Sequence, residues 1–394
     1  MVNMNRHFLR DIADIQTGPF GSQLHKEDYV DIGTPIVTVE HLGNRVFTEQ
    51  NLPKVSDEDK ARLSKYVLKE GDIVFSRVGS VDRCSYVDAA HDGWMFSGRC
   101  LRVRPNTEVD PLYLYYFFCL EDTKQFVRNI AVGATMPSIN TKLLGEVEVA
   151  YPSQTEQQKI VALLSALDDK IEINQKINDN LYAQAKAIFA QRFIGIETIP
   201  DGWKKGNLLD IANYLNGLAM QMFRPRDDEV GLPVLKIKEL RQGSCDVSSE
   251  LCSPSIKPEY IVHDGDVIFS WSGSLLVDIW CGGTCGLNQH LFKVTSETYD
   301  QWFYYLWTAH HLERFIAIAA DKATTMGHIK RGELEKAEVL IPSEKDYKEI
   351  SSLMNPLFNL IIANRIEARK LAELRDELLP KLMSGEIDVS EVSV

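Results

Sequence analysis

The sequence predicts an α+β protein in which two homologous α/β domains are joined by two long antiparallel helices that form a coiled coil with pseudo-twofold symmetry. Three observations predict this fold. The chain repeats itself once at a distance of about 190 residues. The first part of each copy mixes short strand-like segments with an aromatic helix, and the second part carries apolar residues at helical spacing. The predicted boundaries are 1–152 and 196–342 for the domains, and 153–195 and 343–394 for the helices and tail.

The repeat is clearest in one short motif. Residues Glu70–Ser76 read EGDIVFS, and residues Asp264–Ser270, 194 positions later, read DGDVIFS. Further along, the separation settles at 190, from residues 134–136 and 324–326 to the end of the match. Loop insertions confined to the first half of each copy explain the change. Two copies of this length indicate duplicated domains and not a solenoid.

The first part of each copy predicts a mixed α/β domain. Segments rich in Val and Ile and bounded by Gly or Pro read as strands at 35–40, 72–77, 100–105 and 147–152, with counterparts at 233–238, 266–271, 291–294 and 337–342. One helix is predicted after Asp110 and another after Asp300, each with an aromatic stripe. Large apolar residues at this spacing indicate core packing and not a platform for stacking bases.

The second part of each copy predicts a long helix that begins at a capping box. Ser153 and Glu156 have the required spacing, and Ser343 and Asp346 repeat it with a shorter acid. Apolar positions then alternate at spacings of four and three, which is typical of a coiled-coil seam. The seam residues are Ile160, Leu164, Leu167, Ile171, Asn174 and Leu181 in the first helix, and Ile350, Met354, Leu357, Ile361, Asn364 and Leu371 in the second.

The polar seam positions and the helix ends make separate predictions. Asn174 and Asn364 either set the register through buried partners or mark where the seam turns toward solvent. Gly195 and Gly385 are expected to be left-handed C-caps. Pro380 is expected to kink or end the second helix a turn or more early.

The composition limits the classes of function. The net charge of −13 argues against a protein that binds DNA tightly by itself, because phosphate neutralisation supplies most non-specific affinity. A DNA reader of this charge would need cationic surface from partner proteins. There is no run of 18 apolar residues and no leader pattern, so a cytoplasmic location and no membrane association are expected. The seven cysteines lack zinc spacing, and no metal site is predicted.

Three sequence patterns carry a family resemblance. Residues Thr17–Ser22 read TGPFGS after Ile12-Ala13, and Asn216-Gly217 follows Ile211-Ala212 in the second copy. The paired GD(I/V)(V/I)FS segments are the second pattern. The third is LRDELLPKLMSGEI, from Leu374 to Ile387. Together with the duplicated layout, over essentially all 394 residues, the chain resembles the specificity subunit of type I restriction-modification systems.

The resemblance implies a function, partners and a division of labour. Each globular domain would be a target-recognition domain that reads one half of a bipartite, asymmetric DNA target. The coiled coil would set the spacing and dock two methyltransferase subunits, which carry S-adenosylmethionine. Restriction subunits would supply ATP- and Mg²⁺-dependent translocation and cleavage. This chain would be a non-catalytic subunit that binds none of these cofactors, in keeping with its lack of (N/D)PP(Y/F) and GxxxxGK(S/T) motifs.

DNA contacts are expected on polar loops presented by the small sheets, because bases are read by paired donors and acceptors. In the first copy the candidates are Thr17, Ser22, Gln23, Arg77, Ser80, Arg83, Thr135, Asn140 and Lys142. In the second they are Gln221, Arg224, Ser272, Ser274, Asn288, Gln289, His290, Lys322, Thr324, Thr325, His328, Lys330 and Arg331. For each residue a solvated turn or a phosphate contact is the competing interpretation. Trp271 either stacks on DNA or covers the core.

An alternative function belongs to a different class. The chain would be a coiled-coil interaction scaffold without DNA specificity, and the acidic charge favours this reading. A second alternative, the recognition part of a methyltransferase–nuclease fusion, is opposed by the missing catalytic motifs. Neither the target sequence nor the spacer length follows from residue types.

Overall fold

A computed structural model describes residues 4–20, 23–196, 198–321 and 329–392. It divides into two compact units, which we describe separately. The first unit comprises Met1–Leu167 and Leu374–Val394, and the second comprises Asp168–Glu373. Within the described ranges, no helix is both long and apolar enough to cross a membrane.

In the part of residues 5–151 that the structure describes, the first unit contains ten short strands and five short α-helices. The strands are β1 (Asn5–Phe8), β2 (Ala13–Thr17), β3 (Tyr29–Val30), β4 (Thr34–Val37), β5 (Lys54–Val55), β6 (Ile73–Ser76), β7 (Cys84–Tyr86), β8 (Met95–Phe96), β9 (Cys100–Pro105) and β10 (Glu148–Tyr151). The helices are α1 (Leu9–Ile12), α2 (Asp57–Arg62), α3 (Pro111–Cys119), α4 (Glu121–Ile130) and α5 (Thr141–Leu144).

These strands form two four-stranded sheets, in the orders β2-β9-β6-β7 and β3-β5-β4-β8, and a β1-β10 pair. Strand β6 is buried on both faces. Ile73 and Phe75 pack into the core that contains α3, whereas Val74 packs into the core under the second sheet. This double burial explains why the repeated motif is a continuous apolar run and not an alternating one.

The second unit repeats this plan. After helix α6 (Gln154–Phe189), its strands are β11 (Lys204–Asn207), β12 (Asn213–Asn216), β13 (Leu232–Leu235), β14 (Leu251–Cys252), β15 (Ile261–Val262), β16 (Val267–Ser270), β17 (Leu276–Ile279), β18 (Cys285–Leu287), β19 (Leu291–Thr295) and β20 (Glu338–Ile341). The helices are α7 (Leu208–Ile211), α8 (Ile237–Gln242), α9 (Gln301–His310), α10 (Leu312–Asp321), α11 (Arg331–Glu335) and α12 (Glu344–Met383). The sheets are β12-β19-β16-β17, β14-β13-β18-β15 and β11-β20.

The Gly-Asp pair of the repeated motif has the same structural role in both units. Gly71 and Gly265 adopt positive φ angles of 90° and 96°, which glycine tolerates best. Asp72 accepts a hydrogen bond from the Lys69 amide at 2.8 Å and pairs with Arg104. Asp266 in the second unit likewise accepts from a backbone amide three residues earlier, at 2.8 Å, and pairs with a lysine of β19. The motif therefore stabilises a turn before a buried strand.

The two copies also attach their long helix to the domain at equivalent points. The Gln157 side chain accepts a hydrogen bond from the Asp110 amide at 2.7 Å. Tyr347, 190 residues later, accepts from the Asp300 amide at 2.6 Å through its hydroxyl. Asp110 and Asp300 occupy the N-cap positions of α3 and α9, so a helix follows each of them, as the sequence predicted. A different side chain thus performs the same bridging function in each copy.

The predicted long helices are present, and the parts that lie in each unit pack antiparallel. In the first unit, Ile160 near the start of α6 shares a core with Leu382 near the end of α12. In the second unit, Asn174 contacts Glu367, and Asn178 contacts Asn364. Of the predicted seam, Ile160, Leu164, Asn174, Ile350, Met354, Ile361 and Asn364 are buried, and Leu167, Ile171, Leu181, Leu357 and Leu371 are half-buried.

Both seam asparagines are buried, so the seam does not turn toward solvent at these points. They do not contact each other as a symmetric pair. The Asn174 amide donates to Glu367 at 2.7 Å, whereas the Asn364 amide donates to the Asn178 side chain at 2.9 Å. Each therefore has the specific polar partner that setting a register requires.

The helix ends differ from the predictions at two places. Gly195 has φ −88° and is not left-handed, because a π-helical turn, Ala190–Ile194, closes α6 instead. Gly385 has φ +74° and confirms its prediction. Pro380 does not end its helix early, since α12 continues to Met383, and a kink at Pro380 remains a prediction. Pro380 is exposed, and burial of its neighbour Leu379 holds the last turn in place.

Candidate nucleic-acid interface

In the first unit, the ends of four strands meet at one edge of a sheet. The antiparallel register pairs Thr17 with Leu101, Ser76 with Cys100, and Phe75 with Cys84. The loop after β2, the β6–β7 loop and the loop before β9 therefore leave the sheet side by side. We call these loops, with residues 132–140, the first-domain edge.

Backbone hydrogen bonds bring the fourth loop to this edge. The Gly79 amide donates to the Pro137 carbonyl at 2.8 Å, and the Ile139 amide donates to the Arg77 carbonyl at 2.9 Å. The described parts of the loops that the sequence predicted in the first copy are thus adjacent.

The second unit repeats the arrangement with different side chains. The Trp271 amide donates to the His290 carbonyl at 3.4 Å, and the Ile329 amide donates to the Trp271 carbonyl at 3.1 Å. These bonds match those from Arg77 to Arg99 and from Ile139 to Arg77. We call the loop after β12, residues 271–275, 288–290 and 329–331 the second-domain edge.

Comparison with known proteins connects this duplicated geometry to a family. The model of the type I restriction modification DNA specificity domain matches residues 1–183 and again residues 200–375. The chain belongs to this family. Its two matched segments are the first and second specificity domains, and each includes one of the two edges.

Individual relatives agree with this assignment. The chain is 27% identical to the type I restriction enzyme MjaIX specificity subunit of Methanocaldococcus jannaschii, over 98% of this chain and 93% of the relative. It is 21% identical to the HindI specificity subunit of Haemophilus influenzae, over 84% and 89% of the two chains. The crystal structure of a type I S subunit from M. genitalium shares the fold, with a TM-score of 0.57 and 15% identity over 97% of this chain and 96% of that one.

A glycine at each edge is needed for close backbone approach. A Cβ atom at Gly18 would collide with the carbonyl oxygen of Ser97. One at Gly217 would collide with the carbonyl oxygen of Asn288 in the same way. Gly18 of the TGPFGS pattern and Gly217 of the NG pattern therefore position the loops, and a side chain in either place would push two loops apart.

The predicted first-domain residues fall into two groups. Ser80, Thr135 and Lys142 are exposed, and Thr17 is half-buried at the end of β2. The others contact the protein itself. Gln23 accepts a hydrogen bond from the Tyr66 hydroxyl (2.7 Å), Asn140 caps α5 through the Leu143 amide (2.9 Å), Arg77 donates to the Gly98 carbonyl (3.1 Å) and Arg83 donates to the Leu42 carbonyl. Ser22 lies outside the described residues.

The second-domain residues divide in the same way. Gln221, Ser274 and Lys330 are exposed, and Gln289 is half-buried. The Arg224 guanidinium pairs with Glu250 at 3.1 Å, Arg331 donates to the Tyr214 carbonyl at 3.4 Å, and the buried hydroxyl of Ser272 lies 3.0 Å from Nδ1 of His290. Asn288 is buried below the edge. Lys322, Thr324, Thr325 and His328 lie outside the described residues.

Trp271 lies partly over the core. Its indole nitrogen donates to Asn216 at 2.9 Å, and its ring lies 5.7 Å from that of Phe292. Trp271 thus covers apolar residues at the place where the first domain carries Arg77. Whether its ring also stacks on DNA remains a prediction.

Two residues at the first-domain edge were not among the candidates from the sequence. Arg99 is exposed there, although its counterpart His290 was a candidate. Phe20 is 61% exposed, and its ring lies 5.8 Å from the Arg77 guanidinium. The signal for Arg99 was its alignment with His290, which the repeat provides.

The edge cysteines behave as core residues. Burial raises the pKa of the Cys100 thiol to about 12, and burial raises the pKa of Cys84 well above its usual value. Both are therefore neutral thiols near pH 7 and poor nucleophiles. Within the described ranges, His, Cys, Asp and Glu side chains form no group that could hold a metal ion. What the edges present is hydrogen-bond donors and acceptors, which suits recognition.

Proposed function

We propose that this chain is the DNA sequence-recognition subunit of a type I restriction-modification complex, and that each specificity domain reads one half of a bipartite, asymmetric target. One observation carries the proposal. The two edges share a backbone scaffold, but equivalent positions hold Arg77 and Trp271, and Arg99 and His290. A common scaffold with different donors and acceptors is what two different half-sites require.

The net negative charge of the chain indicates that DNA binding needs partner proteins. At −13, the chain as a whole repels phosphates, so binding requires cationic surface from elsewhere. We propose that two methyltransferase subunits supply it and carry S-adenosylmethionine. Restriction subunits would join this core and carry ATP and Mg²⁺. Under this proposal the chain is non-catalytic and its role is to select the site.

We further propose that the two long helices set the spacing between the half-sites and dock the methyltransferase subunits. At about 1.5 Å per residue, the 36 residues of α6 and the 40 residues of α12 extend roughly 54 and 60 Å. Equivalent half-sites on one face of B-DNA recur about every 34 Å. Helices of this length are stiff enough, over one turn of the duplex, to fix the length of the spacer between the half-sites.

The decisive experiment is methylome sequencing. The chain is co-expressed with its proposed methyltransferase partner, in a host that lacks adenine methylation. We expect N6-methyladenine at one bipartite motif, absent when either chain is omitted. Replacing the second specificity domain with that of a relative should change one half of the motif and leave the other. Methylation without a bipartite motif would contradict the proposal.

The alternative is a coiled-coil interaction scaffold without DNA specificity, which the acidic charge favours. A gel shift with the mapped duplex, with and without the methyltransferase subunit, separates the two. Sequence-specific binding that weakens steeply with salt supports DNA recognition. The scaffold predicts no dependence on DNA sequence under any condition.

A further inference from the structure

We infer that Arg99 reads a guanine in the half-site of the first specificity domain, and that the second domain has no guanidinium at the equivalent position. This inference rests on the proposed function and adds a residue and a base to it. Arginine with a free, planar edge pairs with O6 and N7 of guanine in the major groove. Three features of the first-domain edge support the assignment.

First, the backbone that carries Arg99 is held rigidly. The Arg77 amide donates to the Arg99 carbonyl at 2.8 Å, and the Ser97 amide donates to the Val37 carbonyl at 2.8 Å. Gly98 is packed so closely that a Cβ atom there would lie 2.8 Å from Cβ of Phe20. A side chain leaving such a loop starts from one fixed position, which lowers the entropy cost of a directed contact.

Second, the Arg99 side chain is available. It is exposed, and none of the residues that the structure describes forms an ion pair or a side-chain hydrogen bond with its guanidinium. The neighbouring candidate differs, because Arg77 already donates to the Gly98 carbonyl at 3.1 Å beside the Phe20 ring. Of these two guanidinium groups, the one on Arg99 keeps its whole donor edge for a ligand.

Third, the second domain carries different side chains at the equivalent positions. His290 occupies the place of Arg99, and its Nδ1 lies 3.0 Å from the Ser272 hydroxyl. Trp271, in the place of Arg77, donates its only side-chain N–H to Asn216. Neither residue can offer the paired donors that O6 and N7 of guanine accept. The two domains therefore differ in the base that this part of the edge can select.

The test combines methylome sequencing with two matched variants. Arg99→Gln removes the guanidinium and installs an amide, whose paired donor and acceptor suit adenine. Arg6→Ala is the control, since Arg6 is an exposed arginine of β1 in the same unit, and it forms an ion pair with the exposed Glu148. We expect Arg99→Gln to reduce discrimination roughly 10-fold or more at one G·C pair of one half-site. The other half-site, and the motif of Arg6→Ala, should stay unchanged.

Several outcomes would overturn the inference. They are an unchanged motif with Arg99→Gln, a partial reduction of methylation that is equal at all sites (which indicates a phosphate contact), and a wild-type first half-site without a G·C pair. If Arg99→Gln abolishes methylation, gel shifts with duplexes substituted at each half-site position replace the readout. The inference then requires equal or better binding when one G·C pair becomes A·T. A wild-type complex without any bipartite motif would instead refute the proposed function itself.

Discussion

Helix α12 is tied to the second specificity domain by a bidentate ion pair whose strength can be measured. Arg365 donates from Nη1 and Nη2 to the two carboxylate oxygens of Asp278, at 2.9 and 2.7 Å. Burial alone would lower the pKa of Arg365, but the hydrogen bonds and charge of Asp278 outweigh it and raise that pKa. The position equivalent to Arg365 in the first copy is Gln175, so this ion pair belongs to the second copy alone.

The expected strength of the Arg365–Asp278 ion pair follows from its distances and its exposure. Opposite charges about 4 Å apart attract by about 4 kcal/mol at an effective dielectric of about 20. The two side chains are 29% and 30% exposed, so partial loss of hydration offsets part of this attraction. Hydrogen bonds between charged groups typically contribute about 1.5–3 kcal/mol net. We therefore expect a coupling free energy of about 2 kcal/mol between Arg365 and Asp278.

A double-mutant cycle isolates this coupling. Arg365→Met, Asp278→Ala and the double variant are unfolded in urea and followed by tryptophan fluorescence, because five of the six tryptophans lie in the second unit. The exposed pair Lys348 and Glu344 on the same helix is the control, and it should show no measurable coupling. A coupling below about 0.5 kcal/mol for Arg365 and Asp278 would mean that this pair does not hold α12 to the second specificity domain.

Three further predictions concern other parts of the chain. Gly217→Ala should destabilise the second specificity domain by about 1–3 kcal/mol in urea unfolding, because the new methyl group collides with the Asn288 carbonyl. Pro380→Ala should raise the thermal midpoint, since it restores a donor inside α12 at an exposed position. Burial lowers the pKa of His311 in the folded chain. As the pH falls, the unfolded chain therefore binds a proton at this histidine before the folded chain does, and the free energy of unfolding should fall between pH 7 and pH 5. His311→Gln should flatten that pH dependence.

A specific measured outcome would contradict each of these three expectations. For the glycine, Gly243→Ala is a useful comparison: it strains a left-handed residue but has no atom near the added methyl group. Equal losses in Gly217→Ala and Gly243→Ala would argue against the collision. A lower midpoint for Pro380→Ala would mean that the ring contributes packing. If the free energy of unfolding of His311→Gln still falls between pH 7 and pH 5, the pH dependence comes from other groups.

The duplicated layout and the long helices were predicted because their signals are local and repeated. A seam of apolar residues at alternating spacings of four and three needs no knowledge of what lies opposite. The register partners were not predictable in this way. Equivalent residues Asn174 and Asn364 meet Glu367 and Asn178, because the two helices are not related by an exact symmetry of side chains.

The loops of the candidate interface were found from the sequence, but the roles of their residues were not. Asn140 caps a helix, Asn288 is buried, and Gln23 accepts a hydrogen bond from a tyrosine. Arg99 aligned with the candidate His290 but was not itself listed as a candidate. A polar residue in a loop gives the same sequence signal whether it serves the fold or faces solvent, since its partners lie far away in the chain.

The repeat, the type of each large element, the capping residues and the apolar seam could all be predicted from the order of residues, because they depend on neighbours within a few turns or strands. Three other features could not: which loop residues remain available, how the helices end at Gly195 and Pro380, and where Arg365 finds its partner. These outcomes depend on contacts between residues tens of positions apart. Such contacts are fixed by packing of the whole domain and leave no periodic trace in the order of residues.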